Sequence, residues 1–549
     1  MKKGIKVFGF IVTLAISFVV NAQDMPTGFK SFEERIRRLQ LLGDTLIRPS
    51  FNIRPFSSKV YLADSATKLY AFSGIVFSGK KSKARIELLP FELTTQLNTT
   101  NPYGWNDGLM IPSRGFQSYI SGGFYLKAGP FQVQLRPEAV WSANQAYQGF
   151  TNPYVLPFYY RYTYNYIDSP ERFGQGAYYR FHPGQSFAGL NLGPVFIGAS
   201  SQNIWWGPGK RNALIFSNNA PGFYHLGLKT TKPIETLIGT FEFQTLVGKL
   251  EASGYLPTQI VSPLYLNPID DWRYLSGFTF NYSPSWFSGF HFGASRVFQQ
   301  YFGDTKRNKD YFPGILNIFK ANDPVSDDLL NRDQMISVYF RWVWKKVQAE
   351  LYAEYGRNDA SWNLRDFIMT PEHSRAYILG FSKLFALPGK DRYLQLNAEL
   401  TQLQQSSNYI NRDAKSWYLH SQVTNGFTHL GQVIGAGIGP GSNLQSLEVS
   451  WVGGLNKIGM RIERLTHNND FYNVAFSYNP LHSPWVDTSA ALLFDRSFNR
   501  FFISTNLSFV NSNNYQWGFR PGEENAVLPR GERKFNAFVN VNTVYRFGR

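Results

Sequence analysis

Strict alternation of apolar and polar residues constrains this chain more than any other feature. Ile336, Val338, Phe340, Trp342 and Trp344 occupy one side of a segment whose other side carries Ser337, Tyr339 and Arg341. After Lys345-Lys346 the pattern resumes, with Val347, Ala349, Leu351 and Ala353 set against Gln348, Glu350, Tyr352 and Glu354. Successive side chains of a strand point to opposite faces, so this reads as a hairpin with one apolar and one polar face. Phe131, Val133 and Leu135 against Gln132, Gln134 and Arg136 repeat it, as do Phe241 and Phe243 against Glu242 and Gln244. Ile458, Met460 and Ile462 face away from Arg461 and Glu463 in the same way. The final stretch sets Phe535, Ala537, Val539, Val541, Thr543, Tyr545 and Phe547 against Asn536, Asn540, Asn542 and Arg546.

A soluble β-sandwich alternates too, so the ends of the chain decide. Lys2, Lys3 and Lys6 precede an apolar run from Val7 to Val20, and Val20-Asn21-Ala22 is a small-residue cleavage pattern. Residues 1–22 therefore read as a signal peptide cut after about Ala22, too short to span a bilayer as a helix. With no cysteine anywhere, lipidation, disulfides and thiolate metal sites are excluded. No later run of apolar residues is long enough for a helical span, yet the chain holds 48 Phe, 32 Tyr, 13 Trp and 47 Gly. Export, alternation and an aromatic terminal strand together predict an all-β transmembrane protein. Its fold is a single large antiparallel β-barrel over residues 67–549 in a bacterial outer membrane. At roughly 25 to 30 residues per strand and connection, that length gives about 16 to 20 strands.

Connections 301–333, 404–415 and 511–534 are expected to be extracellular loops, and the turns at Lys345-Lys346 and 128–130 to be periplasmic. Residues 23–66 read as a short periplasmic helical segment and connector. Ser31 and Glu34 have capping-box spacing, Phe32, Ile36 and Leu39 share a face, and Gly43 is a natural stop. So short a helix should pack against the periplasmic end of the barrel. Residues 50–55 read as extended.

Enzyme motifs fail on inspection. Around Gly207-Pro208-Gly209-Lys210-Arg211 a phosphate loop would need Gly where Ile204 stands and Ser or Thr where Arg211 stands. Residues 184–189 are one residue too long for a nucleophile elbow. The histidines form no close pair and no acidic calcium loop occurs, so no metal, cofactor or catalytic residue is predicted. The net charge of +17 owes only three charges to the leader lysines. Such an excess favours anionic partners, among them lipopolysaccharide and acidic polysaccharide. Dispersed Lys and Arg without a reading module argue against nucleic acid.

The densest constellation runs from Gln202 to His225. Trp205, Trp206, Lys210, Arg211, Asn212, Asn218, Asn219 and His225 are its candidate polysaccharide-binding residues. Apolar sugar faces can lie on indole while hydroxyls meet amides and cations. The same residues would equally serve to fill a lumen, because Gly-Pro-Gly cannot continue a strand and invites an inward fold. A second group, Glu138, Arg341, Glu350, Glu354, Arg461 and Glu463, with Arg136 and Glu399, falls on lumen-facing positions. A catalytic carboxylate pair is conceivable there, as is mutual neutralisation that ties strands together.

At these residues the chain resembles the Wzi family of outer-membrane capsule-assembly proteins. The resemblance is carried by residues 168–174, by 205–225, by Pro233-Ile234-Glu235-Thr236, by 350–356 and by Asn425-Gly426-Phe427-Thr428-His429 leading to Gly439-Pro440-Gly441-Ser442. It implies an eighteen-stranded barrel with an N-terminal helical element at the periplasmic mouth. It further implies a non-catalytic, lectin-like role in attaching capsular or exported polysaccharide to the cell surface, alongside the export machinery. Only one N-terminal helix is legible here where a bundle would be expected. The alternative role is a diffusion or uptake channel, which an open lumen would favour.

Overall fold

The computed structural model describes residues 24–43, 49–57, 74–79, 84–150, 157, 159–164, 166–256, 269–305, 330–358, 364–406, 415–476, 481–524 and 526–547. The leader expected at 1–22, the barrel start expected at 67 and parts of the connections 301–333 and 404–415 lie outside these residues.

Eighteen antiparallel strands close into one barrel. In Asp333–Trp344, Ile336 and Val338 point outward while Ser337, Tyr339 and Arg341 are buried in the lumen. This strand pairs with Ala349–Arg357 across a turn at Lys345–Val347, closed by Gln348 in the left-handed region at φ 53°. Phe131, Leu135, Ile458, Met460, Ile462 and Phe535 likewise stay exposed on the outer wall. Such a continuous outward apolar band has no stable position in water and is satisfied by lipid, while each strand's backbone is satisfied by its neighbours. Phe131–Leu135 and Glu138–Ser142 form one wall strand interrupted at Arg136-Pro137, where proline removes a ladder donor.

The barrel closes where the sequence placed its last strand. Arg533–Tyr545 pairs with Ala84–Asn98, from Phe538 opposite Asn98 to Tyr545 opposite Phe91. Where that pairing stops, Gly74–Ser78 takes over the same edge of Ala84–Asn98. Ala84–Asn98 is thus paired on this side over Arg85–Leu88 and Phe91–Asn98.

Connections segregate by length. The turns between consecutive strands at 192–195, 236–239, 453–456 and 498–501 all lie at one end, and the long connections 143–177, 201–224, 403–442, 467–485 and 514–532 leave from the other. The predicted polar stretch 404–415 is therefore only part of a connection that runs to residue 442.

Helix α1, Lys30–Leu41, seals the short-turn end. Phe32 packs on Leu455, Phe502 and Val544, and Ile36 on Phe51 and Phe56. Arg35 meets Asp391 at 3.0 Å and Arg38 donates to the Gly454 carbonyl at 2.8 Å, both acceptors lying in short turns. The capping box expected from Ser31 and Glu34 does not form. The helix begins at Lys30 after Phe29 without a side-chain cap, and the Ser31 hydroxyl donates instead to Asp495 at 2.8 Å. A wall carboxylate distant in sequence outcompetes the local backbone. Gly43 does end the element, at φ 89°.

Candidate functional site

A barrel of this strand number encloses more space than its wall side chains can fill, so the lumen must hold water or chain. Here residues 201–224, which join wall strands Val195–Ser200 and His225–Thr230, turn inward and are buried almost throughout. Trp205 and Trp206 form a short ladder with Arg54 and Ile53 of the N-terminal connector. Trp206 is fully buried, donates its indole N–H to Gln244 at 3.0 Å and packs edge-on against Phe216. The Arg54 guanidinium lies 4.4 Å from the Trp205 ring and donates to the carbonyls of Gly207 and Gly209. Arg37 of α1 donates to the Pro208 carbonyl at 2.8 Å. A side chain at Gly209 would strike the Asn212 carbonyl, 1.9 Å from an added Cβ, and Gly207 sits at φ 109°. The Gly-Pro-Gly turn is thus fixed by backbone crowding and clamped from the helical side.

Wall carboxylates anchor the next residues. Glu399 accepts the successive backbone N–H groups of Lys210 at 2.7 Å, Arg211 at 3.0 Å and Asn212 at 2.9 Å, and a hydroxyl proton from Tyr352 at 2.8 Å. Lys210 Nζ reaches Glu350 at 2.9 Å, Ser382 and Asn397. Burial lowers the Lys210 ammonium pKa from its usual value, and the Glu350 carboxylate opposes that shift. Arg211 forms two bonds to Glu463 and lies over Trp105 at 4.9 Å. Asn212 donates to Thr401, Asn218 to the Asn106 carbonyl and Asn219 to the Val433 carbonyl. His225 opens the next wall strand, its Nδ1 2.8 Å from the Phe223 carbonyl. All eight residues singled out for sugar contact are therefore engaged with the protein's own groups inside the barrel.

The lumen charges come together as strand-to-strand and strand-to-plug ties. Arg341 pairs with Glu350 at 2.6 Å, and Arg37 and Lys210 join the same carboxylate. Arg461 and Glu463 are 3.2 Å apart. Glu354 accepts from Leu214 N–H at 3.3 Å, and Glu138 from Gln185 at 2.9 Å, while Arg136 pairs with Glu92. Among the described residues no cluster of His, Asp and Glu could hold a metal.

Sequence reading missed a cleft at the long-loop end. Its volume is about 140 Å³, and its walls come from four different connections, including Arg161, Glu171, Ser442, His467, Trp485 and Trp517. The His467 and Trp485 rings stack at 3.7 Å and 17°. Both rings are held by one carboxylate, with His467 Nε2 2.8 Å from Asp487 and Trp485 Nε1 donating to it at 2.8 Å. Nearby, Asp168 accepts two bonds from Ser253, which oppose the rise that burial imposes on its pKa. The signal in sequence was there in part, since Trp485 and Trp517 stand in polar connections, but nothing local showed that those connections converge.

A family model described as capsule assembly protein Wzi matches residues 104–485. The chain belongs to the Wzi family. The matched span includes the whole inward segment 201–224 and most of the cleft, and excludes α1 and the last three wall strands. Among solved structures, Wzi of Escherichia coli, described as an outer-membrane, carbohydrate-binding β-barrel involved in group 1 capsule assembly, aligns with a TM-score of 0.59. The identity is 13%, over 95% of this chain and 99% of that one, a likeness of fold. A BenF-like porin from Pseudomonas fluorescens Pf-5 aligns at 0.37 and 8% identity, over 85% of this chain and 100% of that one. OccK7 of Pseudomonas aeruginosa aligns at 0.35 and 10% identity, over 83% of this chain and 98% of that one. No curated protein matches in sequence.

Proposed function

We propose that this Wzi-family barrel binds capsular or exported polysaccharide and holds it at the cell surface, as a lectin-like, non-catalytic attachment protein. The observation that carries the reading is a lumen crossed by the protein's own chain. A conducting or uptake channel needs a continuous aqueous path, whereas residues 201–224 cross the lumen and are bonded to wall carboxylates on one side and to α1 on the other. Carbohydrate binding by the Escherichia coli relative supports the same reading.

In this proposal the leader is removed after about Ala22, the short-turn end with the helical segment 23–66 faces the periplasm, and the long connections face outward. The eight residues between Trp205 and His225 keep the lumen closed and brace the loop end. Lipid and lipopolysaccharide surround the apolar band, and the polysaccharide export machinery delivers the ligand. Deleting the gene should leave polysaccharide synthesis intact and move polymer from cells to medium. Unchanged cell-attached polysaccharide in the deletion strain would sink the proposal, as would a large steady conductance of the intact protein in planar bilayers.

A further inference from the structure

The loop-end cleft is built differently from its surroundings. Its aromatic floor is rigid before any ligand arrives. Asp487 fixes the stacked His467 and Trp485 rings from below, and Tyr515 and Trp517 meet Trp485 edge-on at 5.1 and 5.4 Å. Rings already locked in one rotamer lose little entropy on binding. Around them stand Glu171, Asn468, Ser169 and Ser442, groups that bond hydroxyls. The Trp517 indole N–H, in a side chain 2% exposed, has no acceptor among the described residues.

The charges decide what kind of sugar fits. Among the described lining residues Arg161 is the one guanidinium or ammonium group, and it already faces an acid. Arg161 stands 3.7 Å from Glu171, and His467 stands 2.8 Å from Asp487. A uronate or phosphate entering here would meet the Glu171 carboxylate, with the Arg161 guanidinium already engaged by it. The whole-chain basic excess therefore does not extend to this cleft.

We propose that the cleft lined by 161–162, 166–171, 438–442, 467–468, Trp485 and Trp517 is a subsite for one uncharged pyranose unit of the polysaccharide. An apolar ring face lies on the Trp485 side and hydroxyls meet Glu171, Asn468 and the two serines. The inference rests on the polysaccharide-binding reading and adds the place and the charge class of the bound unit.

The test uses the full-length protein in detergent micelles. Surface polysaccharide from the host is partly hydrolysed and separated by anion exchange into uncharged and acidic oligosaccharides, and each pool is titrated while tryptophan fluorescence is followed. The uncharged pool should bind, Trp485→Ala should weaken it about tenfold or more, equivalent to ~1.4 kcal/mol, and Trp485→Phe should retain most of the affinity. Ser169 is exposed at the rim, so Ser169→Trp blocks the cleft without touching the floor and should abolish binding even if Trp485→Ala folds poorly. Preference for the acidic pool would overturn the charge assignment. Unaltered binding in folded Trp485→Ala and Ser169→Trp, with wild type retaining intact polymer, would overturn the site alone. Failure of wild type to retain intact polymer would instead overturn the parent reading and this one with it.

Discussion

Glu399 shows how one residue holds a lumen closed. Three consecutive backbone N–H groups converge on its buried carboxylate. Each buried donor left without an acceptor costs about 1–3 kcal/mol, so truncation should release the turn rather than shift it. The expected outcome for Glu399→Ala is a folded barrel in which the bond after Lys210 or Arg211 becomes open to trypsin. Wild type should resist cleavage there, and a resistant Glu399→Ala would show that the flanking Trp206 and Asn212 contacts suffice. Arg211 is different in kind. Its partner Glu463 is shared with Arg461, so Arg211→Met leaves that carboxylate one cation and should expose the turn less than loss of Glu399. Comparing the two trypsin half-lives checks the order.

At the scale of elements, α1 and the inward segment behave as one unit. Arg37 bridges Glu350 and the Pro208 carbonyl, and Arg54 bridges Glu33 and the Gly207 and Gly209 carbonyls. Among the described residues none of 24–57 joins a wall ladder, so excision of 24–57 behind the leader should still yield a barrel that shifts its gel mobility on heating. What it should lose is the clamp on 207–209, giving flickering conductance in planar bilayers where the intact protein is silent. Silence from the excised protein would assign closure to 201–224 unaided. The wall was the part most open to sequence reading, because alternation is local and each of Ile336 to Trp344 declares its own face. The inward course of the Trp-Trp-Gly-Pro-Gly stretch was half legible, since proline and glycine exclude a strand without saying where the chain goes. The capping box misled, because Ser31 is claimed by Asp495 from across the barrel. Of the cleft only Trp485 and Trp517 stood out as aromatics in polar connections, since its walls are brought together only by closure.

For the whole molecule, the division between wall and plug yields the sharpest expectation. The two wall strands that flank the plug are complete without it. Val195–Ser200 pairs along its full length with Phe187–Leu192 on one side and His225–Thr230 on the other. A short glycine-serine turn from Ser200 to His225 in place of 201–224 therefore breaks no wall ladder. It does strip partners from Glu399, Glu463 and Gln244, but an emptied lumen of this width admits water, and a hydrated carboxylate no longer carries the cost of burial. The replacement should assemble in the outer membrane, keep its heat-dependent gel shift and conduct steadily in planar bilayers. Because the plug also braces 433–435 and Asn106 beneath the loop end, the same protein should retain less polysaccharide. An assembled but silent replacement would mean that the long connections close the lumen by themselves. A conducting one that still holds polymer as tightly as wild type would separate closure from attachment and place the binding surface wholly outside the barrel.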